Sequence, residues 1–245
     1  MTGTDAGIST LTNPVINAPY EQPTVHFELG PDGTPTGTLV PGRRPSESFI
    51  PVPVSRKGKA SQIALDFDVT GERREDNSLI NDIRREVGLW RARNYPGATA
   101  ISRKLMLHWA NPGRENRVLF CQREAAETAI FLAEAAGRHG IADYRARLEP
   151  FNREHNSGLP RVALKMATGS GKTVVMAMLV AWQTLTKVHT PQDARFAKRF
   201  QVVTPGITIR DRLRVLHPSD PGNYYKERDL VPGDLWGGLH EARIL

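Results

Sequence analysis

Between residues 77 and 93, Leu79, Ile80, Ile83, Val87 and Trp90 recur at the three-to-four-residue spacing that lines one face of an α-helix. Ser78 suits the N-cap of that helix and Asp82 its first turn. Residues 122–136 (QREAAETAIFLAEAA) are strong helix formers that place Ala126, Ile130 and Ala133 on one face, with Gly137 or Gly140 closing the helix. Residues 172–187 are apolar almost all round, through Val174, Val175, Met178, Leu179, Trp182 and Leu185, which predicts a helix buried against a sheet. Two short apolar runs, 162–166 and 200–204 (FQVVT), read as strands on either side of it. Strand, helix and strand in that order form a unit of an open parallel α/β sheet. Residues 145–158 read as a loop, and residues 101–110 (ISRKLMLHWA), after the break at Pro96-Gly97, fit no single period. No internal repeat is present.

Nine of the 18 prolines fall in the first 60 residues, together with turns such as Pro31-Asp32-Gly33, so residues 1–60 read as an irregular arm. The arm ends in a basic, small-residue linker at 55–61 (SRKGKAS). Residues 61–158 then form a mainly helical region, and 159–245 the start of a separate α/β domain.

A chain of 245 residues that is 39% hydrophobic can bury a core of one or two domains. Its formal charge of +7 and pI near 9.8 favour polyanions, either nucleic acid or an acidic membrane surface. One cysteine, Cys121, excludes an internal disulfide framework and a thiolate metal cage, which fits a reducing, cytoplasmic location. No apolar run reaches the roughly 18–20 residues that span a bilayer, and the first residues lack the basic and apolar regions of a signal peptide. His26, His108, His139, His155, His189, His217 and His240 are scattered singly, so no metal is expected beyond nucleotide-bound magnesium. Trp90 and Trp109 fit core positions better than stacking platforms.

Residues 167–173 (ATGSGKT) carry the chemistry. Phosphate oxygens need converging N–H donors and a close backbone approach, which Gly169 and Gly171 permit because they lack Cβ. With Thr168 and Ser170 they form a phosphate-binding loop that opens the helix at residue 172, whose free amides and dipole favour an anion. Lys172 can reach the β- and γ-phosphates of ATP, and the Thr173 hydroxyl can ligate Mg²⁺. The general pattern would begin with glycine where this chain has Met166.

The ATGSGKT form resembles motif I of superfamily 2 helicases, in which that first glycine is often replaced. Segments 13–23 (NPVINAPYEQP), 42–54 (GRRPSESFIPVPV), 120–128 (FCQREAAET), 164–173 (LKMATGSGKT) and 202–213 (VVTPGITIRDRL) are similar to the restriction (Res) subunit of type III restriction enzymes and related DEAD/DEAH-type helicases. The resemblance implies a P-loop NTPase fold: an incomplete RecA-like parallel sheet preceded by the arm and the helical segment. It implies that Gln122 reads the adenine edge, with Phe120 as a nearby stacking group. It implies, too, that Thr204, Pro205 and Gly206 form motif Ia, which touches the phosphate backbone of duplex DNA with Arg210 alongside. Six basic residues against one acidic between 195 and 214 suit such a track. A methyltransferase (modification) subunit is the implied protein partner.

Hydrolysis needs carboxylates to hold Mg²⁺ and orient water. None of Asp193, Asp211, Asp220, Glu227, Asp229, Asp234 and Glu241 follows an apolar strand, and no DExH or DExD string occurs. The chain therefore reads as an amino-terminal portion of an ATP-dependent DNA helicase or translocase that binds ATP without turning it over alone. A nucleotide kinase sharing the same loop and a non-catalytic DNA-binding module are the alternatives.

Overall fold

The computed structural model describes residues 13–30, 33–51 and 72–245; Pro31, Asp32, the 52–54 end of the GRRPSESFIPVPV segment and the basic linker 55–61 lie outside the described residues. The chain divides into two compact units, one made from Met1–Ile16 and Pro23–Arg85, the other from Asn17–Gln22 and Glu86–Leu245. Among the described residues it is a mixed α/β protein with eight α-helices and three two-stranded sheets.

In the first unit, β1 (Val25–Leu29) and β2 (Pro35–Pro41) pair antiparallel, Phe27 opposite Leu39, inside the stretch read as an irregular arm. Alternating Val25, Phe27 and Leu29 supply the period of two that a strand needs, and Gly33, at φ +75°, turns the chain between them. β3 (Glu47–Pro51) pairs antiparallel with β4 (Glu72–Asp76). α1 (Ser78–Ala92) follows directly, so Ser78 is its first helical residue rather than its cap. Asn81 fixes the start of α1 to the hairpin by accepting from Ser46 N at 2.7 Å and donating to Ser46 O at 3.0 Å.

The second unit is built on helices: α2 (Ala100–Ala110), α3 (Phe120–Glu134), α4 (Tyr144–His155) and α5 (Lys172–His189). Thr99 caps α2 by accepting from Ser102 N at 3.2 Å, which settles residues 101–110 as helical. α5 packs mainly on α2 and α3 and on two short later helices, α7 (Tyr224–Glu227) and α8 (Trp236–Leu239), rather than on a sheet among the described residues. Its all-round apolar surface therefore has a different cause from the one expected: Val175, Met178, Val180, Trp182 and Leu185 are buried among helices. Trp90 and Trp109 are core residues, each 2% exposed, with indole N–H groups donating to Pro96 O and Leu230 O at 2.8 Å. The fully buried Glu134 carboxylate joins α2, α3 and α5 by accepting from Thr99 N at 2.7 Å, Ser102 Oγ at 2.5 Å and Trp182 Nε1 at 2.8 Å. Three donors offset the cost of taking that carboxylate out of water.

Residues 145–155 are helical, and only 156–158 of the stretch read as a loop lie outside a helix. Asp143 accepts from Ala146 N at 3.0 Å and starts α4, which keeps its helix despite Pro150 and buries only Tyr144. Residues 162–166 are not a strand: they run without a ladder partner among the described residues, and Val162 is 58% exposed. An apolar run becomes a strand only when a neighbour accepts and donates its backbone hydrogen bonds. The second strand is shorter than 200–204: β5 (Arg199–Phe200) pairs in parallel with β6 (Arg243–Ile244), and Val202 N adds a bond to Leu245 O at 2.9 Å. α6 (Ile207–Arg212), α7 and α8 lie in the crossover between them.

Short α7 is held at its carbonyl end by residues far earlier in sequence. Asn116 donates to Glu227 O at 3.2 Å, Arg114 to Arg228 O at 2.8 Å and to Asp229 O, His108 Nε2 lies 2.7 Å from Asp229 O, and Trp109 donates to Leu230 O. Four consecutive carbonyls are thereby satisfied, with Asp229 in the left-handed region at φ +48°.

Candidate functional site

Gly169 and Gly171 both take left-handed backbone, at φ +80° and +77°, and Gly171 is the N-cap position of α5. The loop closes on itself through Ser170 N and Ser170 Oγ, which donate to Ala167 O at 3.3 and 2.7 Å. Lys172 is only partly covered and folds over the loop, its Nζ donating to the same carbonyl at 2.9 Å. No side chain caps the amino end of α5 among the described residues, and Thr173 lies in its first turn. Uncapped amides, a lysine reaching back across them and a hydroxyl in the first turn suit the β- and γ-phosphates of a nucleotide. Thr168 sits exposed at the tip of the same turn.

Gln122 is brought to this loop, in a role that its position in the sequence did not reveal. Its Nε2 donates to Ser170 O at 2.9 Å and its Oε1 accepts from Leu119 N at 3.1 Å. The side chain is buried, and a Cβ built on Gly171 would overlap its amide nitrogen. The amide therefore braces the turn from beneath, and glycine at 171 is required by both φ and space.

Phe120 is buried and flanked by the guanidinium groups of Arg91 and Arg123, 5.2 and 5.4 Å from its ring centre, so its face is already covered. Beneath it, Glu127 is fully buried, accepting from Arg91 Nε at 2.8 Å and from the Tyr95 hydroxyl at 2.8 Å. Burial works against the charge on Arg91, but the hydrogen bonding and charge of Glu127, together with the charges of Glu124 and Tyr95, outweigh it and hold the guanidinium protonated more firmly than usual. Burial, reinforced by the Glu127 carboxylate, pushes the Tyr95 phenol up. The segment Asn17–Gln22 docks here too: Phe120 N donates to Pro19 O at 2.8 Å, and Arg117 stacks 4.2 Å from the Tyr20 ring centre. Arg91 and Arg117 carry no periodic or motif signature that would single them out from sequence, whereas Tyr20 and Glu127 lie in the segments 13–23 and 120–128 that carry the resemblance.

Thr204 and Arg210 line one cleft of about 190 Å³ with Val202, Leu213, Leu216, His217, Ile244 and Leu245. Pro205 and Gly206 are exposed beside it, and Thr204 Oγ1 donates to Gly206 O at 3.3 Å. Arg210 pairs with Asp211 at 3.3 Å, an exposed contact of little energetic weight. Among the described residues no backbone hydrogen bond joins this group to the phosphate loop.

Not every cation between 195 and 214 is available to a partner. Arg195 is bound through Nε and Nη2 to Asp193, and its side-chain and backbone hydrogen bonds hold the Asp193 carboxyl at about 2, below the ordinary 3.8. A carboxyl depressed in the folded state contributes stability above its ordinary value and loses it as pH falls through the depressed one. The turn at residues 193–195 is thus expected to stay ordered near pH 4 and to loosen as pH approaches 2. An NMR titration of Asp193 with a midpoint near 3.8, unchanged in Arg195→Ala, would rule this out.

No family model, no curated protein and no solved structure matches the chain, so its own geometry is what supports a reading of the loop.

Proposed function

We propose that the chain is the ATP-binding amino-terminal part of a DNA helicase or translocase with a RecA-like core, similar to the restriction subunit of type III systems. In the complete protein it would couple ATP hydrolysis to movement on duplex DNA. The observation that carries this reading is the loop at 167–173: two left-handed glycines, an uncapped helix start and Lys172 folded across it.

The residues fit the nucleotide. Lys172 and the first amides of α5 would hold the phosphates, Thr173 would ligate Mg²⁺, and Gln122 keeps the turn open at Gly171. Bound Mg²⁺ supplies positive charge that neutralises the phosphates during transfer. Thr204, Pro205, Gly206 and Arg210 form an exposed surface for the DNA backbone, and a modification methyltransferase is the protein partner in this reading. No helix among the described residues is long and apolar enough to cross a membrane.

Equilibrium binding of a fluorescent ATP analogue, with and without Mg²⁺, tests the reading. The wild-type chain should bind more tightly with Mg²⁺, by about tenfold for a single protein ligand to the metal in a site of this kind. Thr173→Ala should abolish that dependence and leave metal-free binding unchanged. An analogue that binds neither protein, or that binds both with the same Mg²⁺ dependence, would overturn it.

A further inference from the structure

A second cationic site lies at the other end of α5 from the phosphate loop. Lys198 and Arg199 stand at the start of β5, Arg243 opens β6 and Lys187 stands near the end of α5; with Ala197 and Glu241 they line a cleft of about 430 Å³. Lys187 donates to Asp193 O at 2.9 Å and Arg243 to His240 O at 2.9 Å, which fixes both side chains at the rim. Lys198 pairs with Glu241 at 3.1 Å, and both partners are about half exposed.

Distance separates this cleft from the phosphate loop. Lys187 is fifteen residues along α5 from Lys172, about 22 Å at 1.5 Å per residue. That span exceeds the screening length of about 8 Å at physiological salt, so the four cations cannot serve a phosphate held at the loop. Like charges gathered in one cleft repel one another and call for an anion of their own. The lining contains no aromatic ring for a base, only four cations, one alanine and one carboxylate. That chemistry selects phosphate and is indifferent to sequence.

We infer that this cleft grips the phosphodiester backbone of duplex DNA, as an anchoring site separate from the phosphate loop and adjoining the Thr204 and Arg210 surface, whose cleft Ile244 lines next to Arg243. Glu241 occupies Lys198 when no DNA is bound, and an arriving phosphate displaces it, because an exposed pair of this kind is weakly held. The inference does not depend on the ATP reading.

Fluorescence anisotropy with a labelled duplex, in the absence of nucleotide and across a salt series, tests it. The double variant Arg199→Ala, Arg243→Ala should weaken binding at least tenfold and reduce the slope of log affinity against log salt by about 2, one unit for each phosphate that an arginine no longer neutralises. Glu241→Gln should tighten binding severalfold, a gain that misfolding cannot produce. Fluorescent-ATP binding should be the same in these variants as in wild type, so failure of the nucleotide reading would show there and not here. Unchanged slopes in the double variant and unchanged affinity in Glu241→Gln would overturn the assignment. So would a cleft that takes millimolar inorganic phosphate, shifted by Glu241→Gln, while duplex affinity stays constant.

Discussion

Replacing Lys172 by alanine is expected to weaken MgATP binding about 10- to 100-fold, the removal of one charge-assisted hydrogen bond worth roughly 1.5–3 kcal/mol at 1.4 kcal/mol per decade. The same substitution should leave the thermal midpoint unchanged. The Lys172 side chain bonds only to Ala167 O among the described residues, and α5 is anchored by residues from Val175 onward. Isothermal calorimetry beside a thermal melt separates the two effects. Equal affinity in the variant would show that the loop does not hold phosphate; a lowered melting temperature would show that its lysine is a structural strut.

The largest stability effect is expected at Glu127. It is fully buried and is the shared acceptor for Arg91 and Tyr95, with Arg123 Nε 3.5 Å away. Glu127→Ala strands the Arg91 guanidinium, only 17% exposed, without its closest counter-charge. Breaking one side of such a pair costs about 3–5 kcal/mol. For a unit of this size that corresponds to a fall in melting temperature of about 10 °C or more. The double substitution Arg91→Met, Glu127→Leu should recover most of the loss, because removing both charges also removes their desolvation cost. Circular dichroism melts of the three variants decide the matter. A double variant as unstable as Glu127→Ala would mean that packing around Phe120, not charge, holds this corner together.

The parts of the fold visible in the sequence were those whose cause is local. Leu79, Ile83, Val87 and Trp90 repeat at helical spacing and do form one helix, and the turn read around Gly169 and Gly171 does open α5, with both glycines left-handed. Elements whose cause is non-local escaped. α4 has no apolar stripe and a proline inside it, so only the Asp143 cap could have announced it. The run at 162–166 has strand composition, but composition does not provide a neighbouring strand. The apolar circumference of α5 was legible, yet nothing in it distinguishes a sheet from a cage of helices. In the candidate site the loop residues could be named in advance, whereas the turn of the Gln122 amide toward Ser170 O depends on how α3 meets α5 in space.

The grip on α7 bears on the order in which the chain matures. A helix of four residues has no stability of its own, and its carbonyl end is held by side chains 111 to 121 positions upstream. Closing a chain loop of that length costs about 4 kcal/mol of entropy before any contact rewards it. The loop at 167–173, by contrast, needs only α5 and the bond from Gln122, 48 positions upstream of Ser170. α3 and α5 meet through a bond spanning 48 residues, a shorter closure than the one residues 224–245, and with them the second half of the β5–β6 pair, need to reach α2. The turn at the amino end of α5 and the basic cleft at its other end would thus form at different times, the turn before the cations of β5 and β6 have met.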